Sequence, residues 1–368
     1  MPMLFQKRQR SALSGKPEVP YISSTGALML KKYDIAVAGA TGLVGDAMIR
    51  ILEERNFPIG NFYPLASQQS AGRTLEFCGE TYEIEALDDF DFSKTQLAFF
   101  SAGGSVSEKH APRAASAGTV VIDNTSHFRY EEDVPLVVPE CNPQRIAEYS
   151  NCGIIANPNC STIQMLVALQ PIHSAVGIER VNVATYQAMS GAGRSAMDAL
   201  TEQTRAHLAG SKAVGIGGEK PVAFNAVPKI SDITKTGYTV EEMKMVWETR
   251  KILEDPDIMV NPTCVRIPVY FGHSEAVHIE TRTKITVRET QKLLNSAPGI
   301  ELLDGLEPGA YPTAMTEAAH RDAVFVGRVR EDLSHPRGLD LWVVADNVRK
   351  GAALNSIQIA EILVSQFM

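Results

Sequence analysis

"YDIAVAGATGLVGDAMIRILEERNF", residues 33–57, decides the fold. Tyr33 to Ala38 is a short apolar run of strand character. Gly39, Gly42 and Gly45 follow at G-x-x-G-x-x-G spacing, and Val44, Ala47, Met48 and Ile51 then recur at helical spacing. Strand, glycine loop and helix in that order make a phosphate site. Glycines let the backbone turn sharply and approach a pyrophosphate, and the helix N-terminus offers free N–H groups at the positive end of its dipole. The same three pieces could form a plain strand-to-helix turn, but together they favour a dinucleotide.

The pattern recurs outward from this unit. "FYPLAS" reads as the second strand, ending at Ser67. An NAD site usually carries an acid near this point for the ribose 2′-hydroxyl. Here the tip runs Ser67-Gln68-Gln69-Ser70-Ala71-Gly72-Arg73, with hydroxyls, amides and one arginine, so NADP is expected. "QLAFFSAGG" (96–104) and "TVVIDNTSHFRY" (119–130) are further buried-type strands ending in small or polar turns. Strands alternating with helical segments predict an α/β fold: a Rossmann-type parallel sheet with ligands at the strands' carboxyl ends.

Composition bounds the rest. A chain of 368 residues is long for one core and suggests two domains. A net charge of -8 gives no bulk attraction to nucleic acid or anionic membrane. No apolar run reaches the roughly 20 residues of a spanning helix. Five cysteines (Cys78, Cys141, Cys152, Cys160, Cys264) at irregular spacing contain no CxxC pair, so no metal is expected and a reduced, cytoplasmic setting is. Residues 1–29 are basic and rich in Ser, Pro and Gly, with Glu18 the one acid. They are expected to be a disordered extension, and their composition also fits a targeting peptide.

The second half carries the chemistry. In "ANPNCST" (156–162), Cys160 precedes an apolar run with Ile163, Leu166 and Val167 on one helical face. A cysteine at a helix N-terminus is expected to have a lowered pKa, and its thiolate can attack an acyl carbon. A small buried thiol is the bland alternative. Gln187 and the Ser190-Gly191-Ala192-Gly193 loop lie at the end of a strand in "TYQAMSGAGRSAMDAL". In "YTVEEMKMVWETRKIL", Thr239 and Glu242 have capping-box spacing, while Glu241 and Lys244 share a face and suit a surface ion pair. "VRIPVYFGHSEAVHIETR" reads as a strand, in which Arg266 and His273 face opposite sides unless Gly272 bends the chain. His273 can serve as acid or base, whereas His278 reads as structural. "GLDLWVVADNVRKGAALNSIQIAEILV" is a strand over 339–345 and then a helix with Ala353, Ile357, Ala360 and Val364 on the face expected to pack on the nucleotide domain.

Taken in order, "AVAGATGLVG", "SAGG", "DNTSHFRY", "PNCST", "YQAMSGAGR", "EEMKM", "RIPV", "GHSEAVHIE" and "DNVRKGAALNSIQIAE" resemble the aspartate-semialdehyde dehydrogenase family from about residue 30 to the end. The resemblance implies NADPH-dependent reduction of aspartyl 4-phosphate to aspartate 4-semialdehyde through a cysteine thioester, a step toward lysine, threonine and methionine, by a homodimer. It implies Cys160 as nucleophile, His273 as general acid/base and Gln187 as the residue orienting the acyl group. Arg266 would bind the substrate carboxylate, Glu241 its amino group, and Arg129, Asn159 and Lys244 its phosphate. Gly39, Thr41, Gly42, Leu43, Val44, Ser67, Gln69, Ser70, Ser190, Gly191 and Asn347 would contact NADP. Many members carry an arginine where this chain has Gln69, a departure that weakens the expected grip on the 2′-phosphate; Arg73 is the arginine of this tip. The implied organisation is a nucleotide-binding domain of residues 30–159 with 348–368 and an α+β catalytic and dimerisation domain of residues 160–347. The rival readings are an N-acetyl-glutamyl-phosphate reductase, whose substrate has no ammonium for Glu241, and a non-catalytic nucleotide-binding paralogue.

Overall fold

Buried apolar strands followed by helices with one apolar stripe build a first sheet, all parallel, in the computed structural model, which describes residues 31–368. Its strands are β1 (Tyr33–Ala38), β2 (Ile59–Ala66), β5 (Glu85–Ala86), β6 (Leu97–Phe100), β7 (Val120–Asp123) and β8 (Ile154–Ala156). They are ordered β5-β2-β1-β6-β7-β8. A small antiparallel hairpin, β3 (Thr74–Phe77) and β4 (Glu80–Glu83), stands outside the sheet and was not legible in the sequence. Helices α1 (Leu43–Glu54) and α2 (Gly104–Ser116) make the crossovers. Residues 1–29, expected as an extension, lie outside the described residues.

The glycine spacing has a steric cause. Gly39 has φ +90°, a conformation that costs glycine little, and it begins the loop that enters α1. A Cβ on Gly45 would stand 2.1 Å from the Gly39 carbonyl oxygen, so helix and loop can pack this closely only with glycine there.

The second sheet is mixed, ordered β10-β9-β11-β14-β13-β12. Its strands are β9 (Ile178–Gln187), β10 (Met259–Arg266), β11 (His273–Thr281), β12 (Ile300–Leu302), β13 (Val324–Glu331) and β14 (Gly338–Ala345). Helices α3 (Cys160–Val176), α4 (Arg194–Leu208), α5 (Val240–Leu253) and α6 (Val287–Ser296) surround it. Along β11 the residues Val277, Ile279 and Thr281 are buried while Ala276, His278 and Glu280 are half-exposed, which is the period of a strand with one covered face. The one-faced helix expected after Cys160 is instead buried on all sides from Ser161 to Leu169, because α3 runs through the main core rather than over it.

The sequence "VRIPVYFGHSEAVHIETR" is two strands, not one. β10 ends at Arg266 and β11 begins at His273, with β9 between them in the sheet. Gly272, at φ +87°, turns the chain where a Cβ would strike the Ala314 carbonyl oxygen at 2.9 Å. Register places Arg266 opposite Gln187 and Ser274 opposite Tyr186, so Gln187, Arg266 and His273 gather at one end of the sheet. Helix α7 (Leu354–Gln366) returns to the first sheet, as its small apolar face predicted. Leu354, Ile357, Ala360 and Leu363 pack with Tyr33, Ile35, Met48 and Leu52.

Candidate active site

Asn159 caps α3, its side-chain oxygen accepting from the Ser161 and Thr162 N–H groups at 3.0 and 3.4 Å. Cys160 is therefore the first residue of the helix, as the sequence predicted. It lies on the wall of a cavity of about 350 Å³ shared with Val44, Asn124, Arg129, Asn159, Gln187, Ser190, Gly191, Glu241, Lys244 and Asn347. The turn after β14 closes one side so tightly that a Cβ on Gly351 would stand 2.7 Å from the Cys160 Cβ.

The thiol's electrostatics correct the expectation of a lowered pKa. Part of Cys160 reaches the cavity, yet the protein packed around it pushes the thiol up to about 12, and the Glu241 carboxylate adds to the rise. Arg266, Lys244 and Arg129 pull the other way and do not prevail. Burial is the largest cause of the rise.

Glu241 and Lys244 form the ion pair foreseen from their spacing, at 2.9 Å, but it is largely buried rather than on the surface. Glu241 Oε1 also accepts from Asn159 Nδ2 at 2.9 Å and Gln187 Nε2 at 3.1 Å. Burial alone would raise this carboxyl. The Lys244 ammonium and the two amides outweigh it and hold Glu241 at about 2. Thr239 and Glu242 form a complete capping box in the same first turn, which accounts for Glu242 without chemistry.

His273 and Arg266 lie behind Gly191 rather than among the residues lining the cavity. A Cβ on Gly191 would stand 3.2 Å from His273 Nε2 and 3.1 Å from Arg266 Nη1, so glycine is what leaves both groups a path forward. The Ala188 N–H donates to His273 Nδ1 at 3.0 Å. An amide N–H can only donate, so the neutral ring carries its proton on Nε2. That nitrogen is buried with no partner among the described residues. Burial, then the charge of Arg266, brings the imidazole down to about 3. Arg266 Nη1 donates to the Ala188 carbonyl oxygen at 2.6 Å. His278 holds Asp332 at 2.8 Å and Asn182 at 3.2 Å, away from the cavity.

The predicted cofactor residues divide. Val44, Ser190, Gly191 and Asn347 share the cavity with Cys160. Asn347 exchanges hydrogen bonds with Ser190 and accepts from the Gly272 N–H at 3.0 Å. Gly39, Gly42 and Leu43 form the loop and the helix start beside Val44. Ser67, Gln69 and Ser70 sit in a turn after β2, closed by the Ser70 N–H donating to the Ser67 carbonyl at 2.8 Å. Thr41 and Arg73 line an adjoining cavity together with Arg194.

The sequence reading missed Glu248 and Lys251. Fully buried Glu248 accepts from Arg129 Nη1 at 3.0 Å and from the Asn159 N–H at 2.6 Å. Their signal was present: 241, 244, 248 and 251 lie 3, 4 and 3 residues apart, one stripe of α5.

Two family models match the chain, one over most of the first sheet's residues and one over most of the second's. They are the semialdehyde dehydrogenase NAD binding domain, over residues 34–149, and the semialdehyde dehydrogenase dimerisation domain, over residues 169–350. Aspartate-semialdehyde dehydrogenase of Shewanella sp. (strain DB6705) is 57% identical over 92% of this chain and 100% of its own. Aspartate-semialdehyde dehydrogenase 2 of Vibrio cholerae is 55% identical over 92% of this chain and all of its own. A crystal structure of the Vibrio cholerae aspartate semialdehyde dehydrogenase II complexed with ASA, 54% identical, superposes with a TM-score of 0.90 over 92% of this chain and all of that one. The chain belongs to the aspartate-semialdehyde dehydrogenase family, oxidoreductases of amino-acid biosynthesis.

Proposed function

We propose that the chain reduces L-aspartyl 4-phosphate to L-aspartate 4-semialdehyde with NADPH, through a thioester on Cys160. The observation that carries this reading is one cavity holding a thiol, a carboxylate and two cations. The substrate's charges fit these groups. Arg129 and Lys244 suit the phosphate, Glu241 suits the ammonium, and Arg266 suits the carboxylate through its planar fork. Asn159 and Gln187 hold Glu241; Asn159 joins Arg129 and Lys244 toward the phosphate, and Gln187 orients the acyl group.

The Cys160 sulfur bonds to the acyl carbon as the carbon–oxygen bond to phosphate breaks, and the thiol proton leaves on the departing phosphate. The glycine loop fits a pyrophosphate, since Gly39 takes a sharp turn at φ +90° and Gly45 lets the N-terminal turn of α1 pack against the loop. NADP(H) held there supplies the hydride. Val44, Ser190, Gly191 and Asn347 are the residues that would border the nicotinamide end. The hydroxyls and amides of Ser67, Gln69 and Ser70, with no acid beside them, favour NADP over NAD. His273, with its proton on Nε2, would hydrogen-bond the acyl oxygen as negative charge develops there. The aldehyde forms as that oxygen's electrons return to the carbon, the carbon–sulfur bond breaks and the Cys160 sulfur takes up a proton.

By this reading residues 30–159 with 348–368 form the nucleotide domain and 160–347 the catalytic and dimerisation domain of a cytoplasmic homodimer. Turnover of aspartate semialdehyde, phosphate and NADP by the wild type and none by Cys160→Ala is the expected result. An inactive wild type would remove the proposed reaction, and an active Cys160→Ala would remove the thioester.

A further inference from the structure

We propose that Glu248 is a positioning residue that ties the phosphate-binding arginine to the helix presenting the nucleophile. The proposal rests on the reading above in which Arg129 takes the substrate phosphate. Glu248 is fully buried, and each of its oxygens has a separate task. Oε1 accepts from Arg129 Nη1 at 3.0 Å and from Tyr130 Oη at 3.4 Å. Oε2 accepts at 2.6 Å from the backbone N–H of Asn159, whose own side chain caps α3 next to Cys160. One carboxylate therefore joins the loop after β7 to the first residues of α3.

A second contact from the same helix fixes the same loop. One turn beyond Glu248, Lys251 Nζ donates to the carbonyl oxygens of Arg129, Glu131 and Val134 at 3.0, 2.8 and 2.9 Å. Arg129 Nη2 is also held, by the Asn124 carbonyl at 3.1 Å. Its buried Nε–H is unpartnered among the described residues, and each Nη keeps a second N–H beyond the bond named. A guanidinium fixed on the far side with a buried donor unused is prepared for an anion. Helix α5 thus acts as a splint. Glu241 and Lys244 line the cavity from its first turns, and Glu248 and Lys251 from its later ones hold Arg129 and Asn159, two further lining residues, or their loop.

The test uses the full chain, inorganic phosphate and iodoacetamide, with no turnover required. Phosphate is expected to protect Cys160 of the wild type from alkylation. In Glu248→Gln an amide N–H₂ faces Arg129, and the phosphate concentration needed for protection should rise about ten- to a hundredfold. The KM for phosphate in the oxidative direction should rise in step while the KM for NADP is unchanged. Combined with Arg129→Lys, the second substitution should add little to the first. If Glu248→Gln does not accumulate as folded protein, Glu248→Asp, one methylene short, should shift phosphate protection in the same direction. Protection equal to wild type in these variants, or effects of positions 129 and 248 that multiply independently, would overturn the role of Glu248. A wild type that phosphate does not protect would instead overturn the reading of Arg129 itself.

Discussion

At the scale of single residues the site is governed by what surrounds one sulfur. Burial and the Glu241 carboxylate together keep the Cys160 thiol protonated near neutrality. Replacing Glu241 with Gln removes the second cause and releases the Lys244 ammonium from its partner. Iodoacetamide should therefore alkylate Cys160 faster in Glu241→Gln than in the wild type at the same pH, and an unchanged or slower rate would contradict this balance. Glu241 itself has a folded pKa of about 2 against an ordinary 4.5. Its ionised form is favoured by folding, so its contribution is complete above about pH 4.5 and is lost as pH falls toward about 2. The size is about 3 kcal/mol. Acid titration of stability should be flatter for Glu241→Gln over that window, and parallel curves would count against it.

Elements explain what the sequence disclosed and what it withheld. The Asn159 cap should be worth about 1 kcal/mol, so Asn159→Ala should lower the unfolding midpoint in urea and also disturb Cys160 alkylation. Loss of neither would remove the cap from the account. The glycine loop, the position of Cys160 and the Thr239–Glu242 capping box were legible because each is a local pattern with one steric or hydrogen-bonding cause. Arg266 and His273 were legible as residue types but not as neighbours. Their juxtaposition depends on β9 entering the sheet between β10 and β11, a pairing that nothing within residues 265–282 encodes. Glu248 was hidden for a similar reason. Its spacing on α5 was visible, but its partners lie 119 and 89 residues away. The Cys160 pKa failed as an expectation because helix position is a local feature and burial is not.

At the scale of the whole molecule, a buried cation ties the turn after β14 to the first half of the chain. Lys350 Nζ donates to both Glu140 oxygens at 2.7 Å, to Asn355 at 3.1 Å and to Gln358 at 2.7 Å. The next residue, Gly351, presses on Cys160. Lys350→Met leaves the Glu140 carboxylate without its cation, which should cost roughly 3–5 kcal/mol of stability, measured by denaturant unfolding. A change below about 1 kcal/mol would show that the network contributes little. The chemistry turns on a covalent bond between Cys160 and the acyl carbon. Acid quenching the enzyme during turnover of aspartate semialdehyde, NADP and phosphate, then mapping peptides by mass spectrometry, tests it most directly. An aspartyl group is expected on the peptide containing Cys160, depleted as phosphate is raised. An acyl group on another residue, or steady turnover with Cys160 unmodified at every quench time, would contradict it.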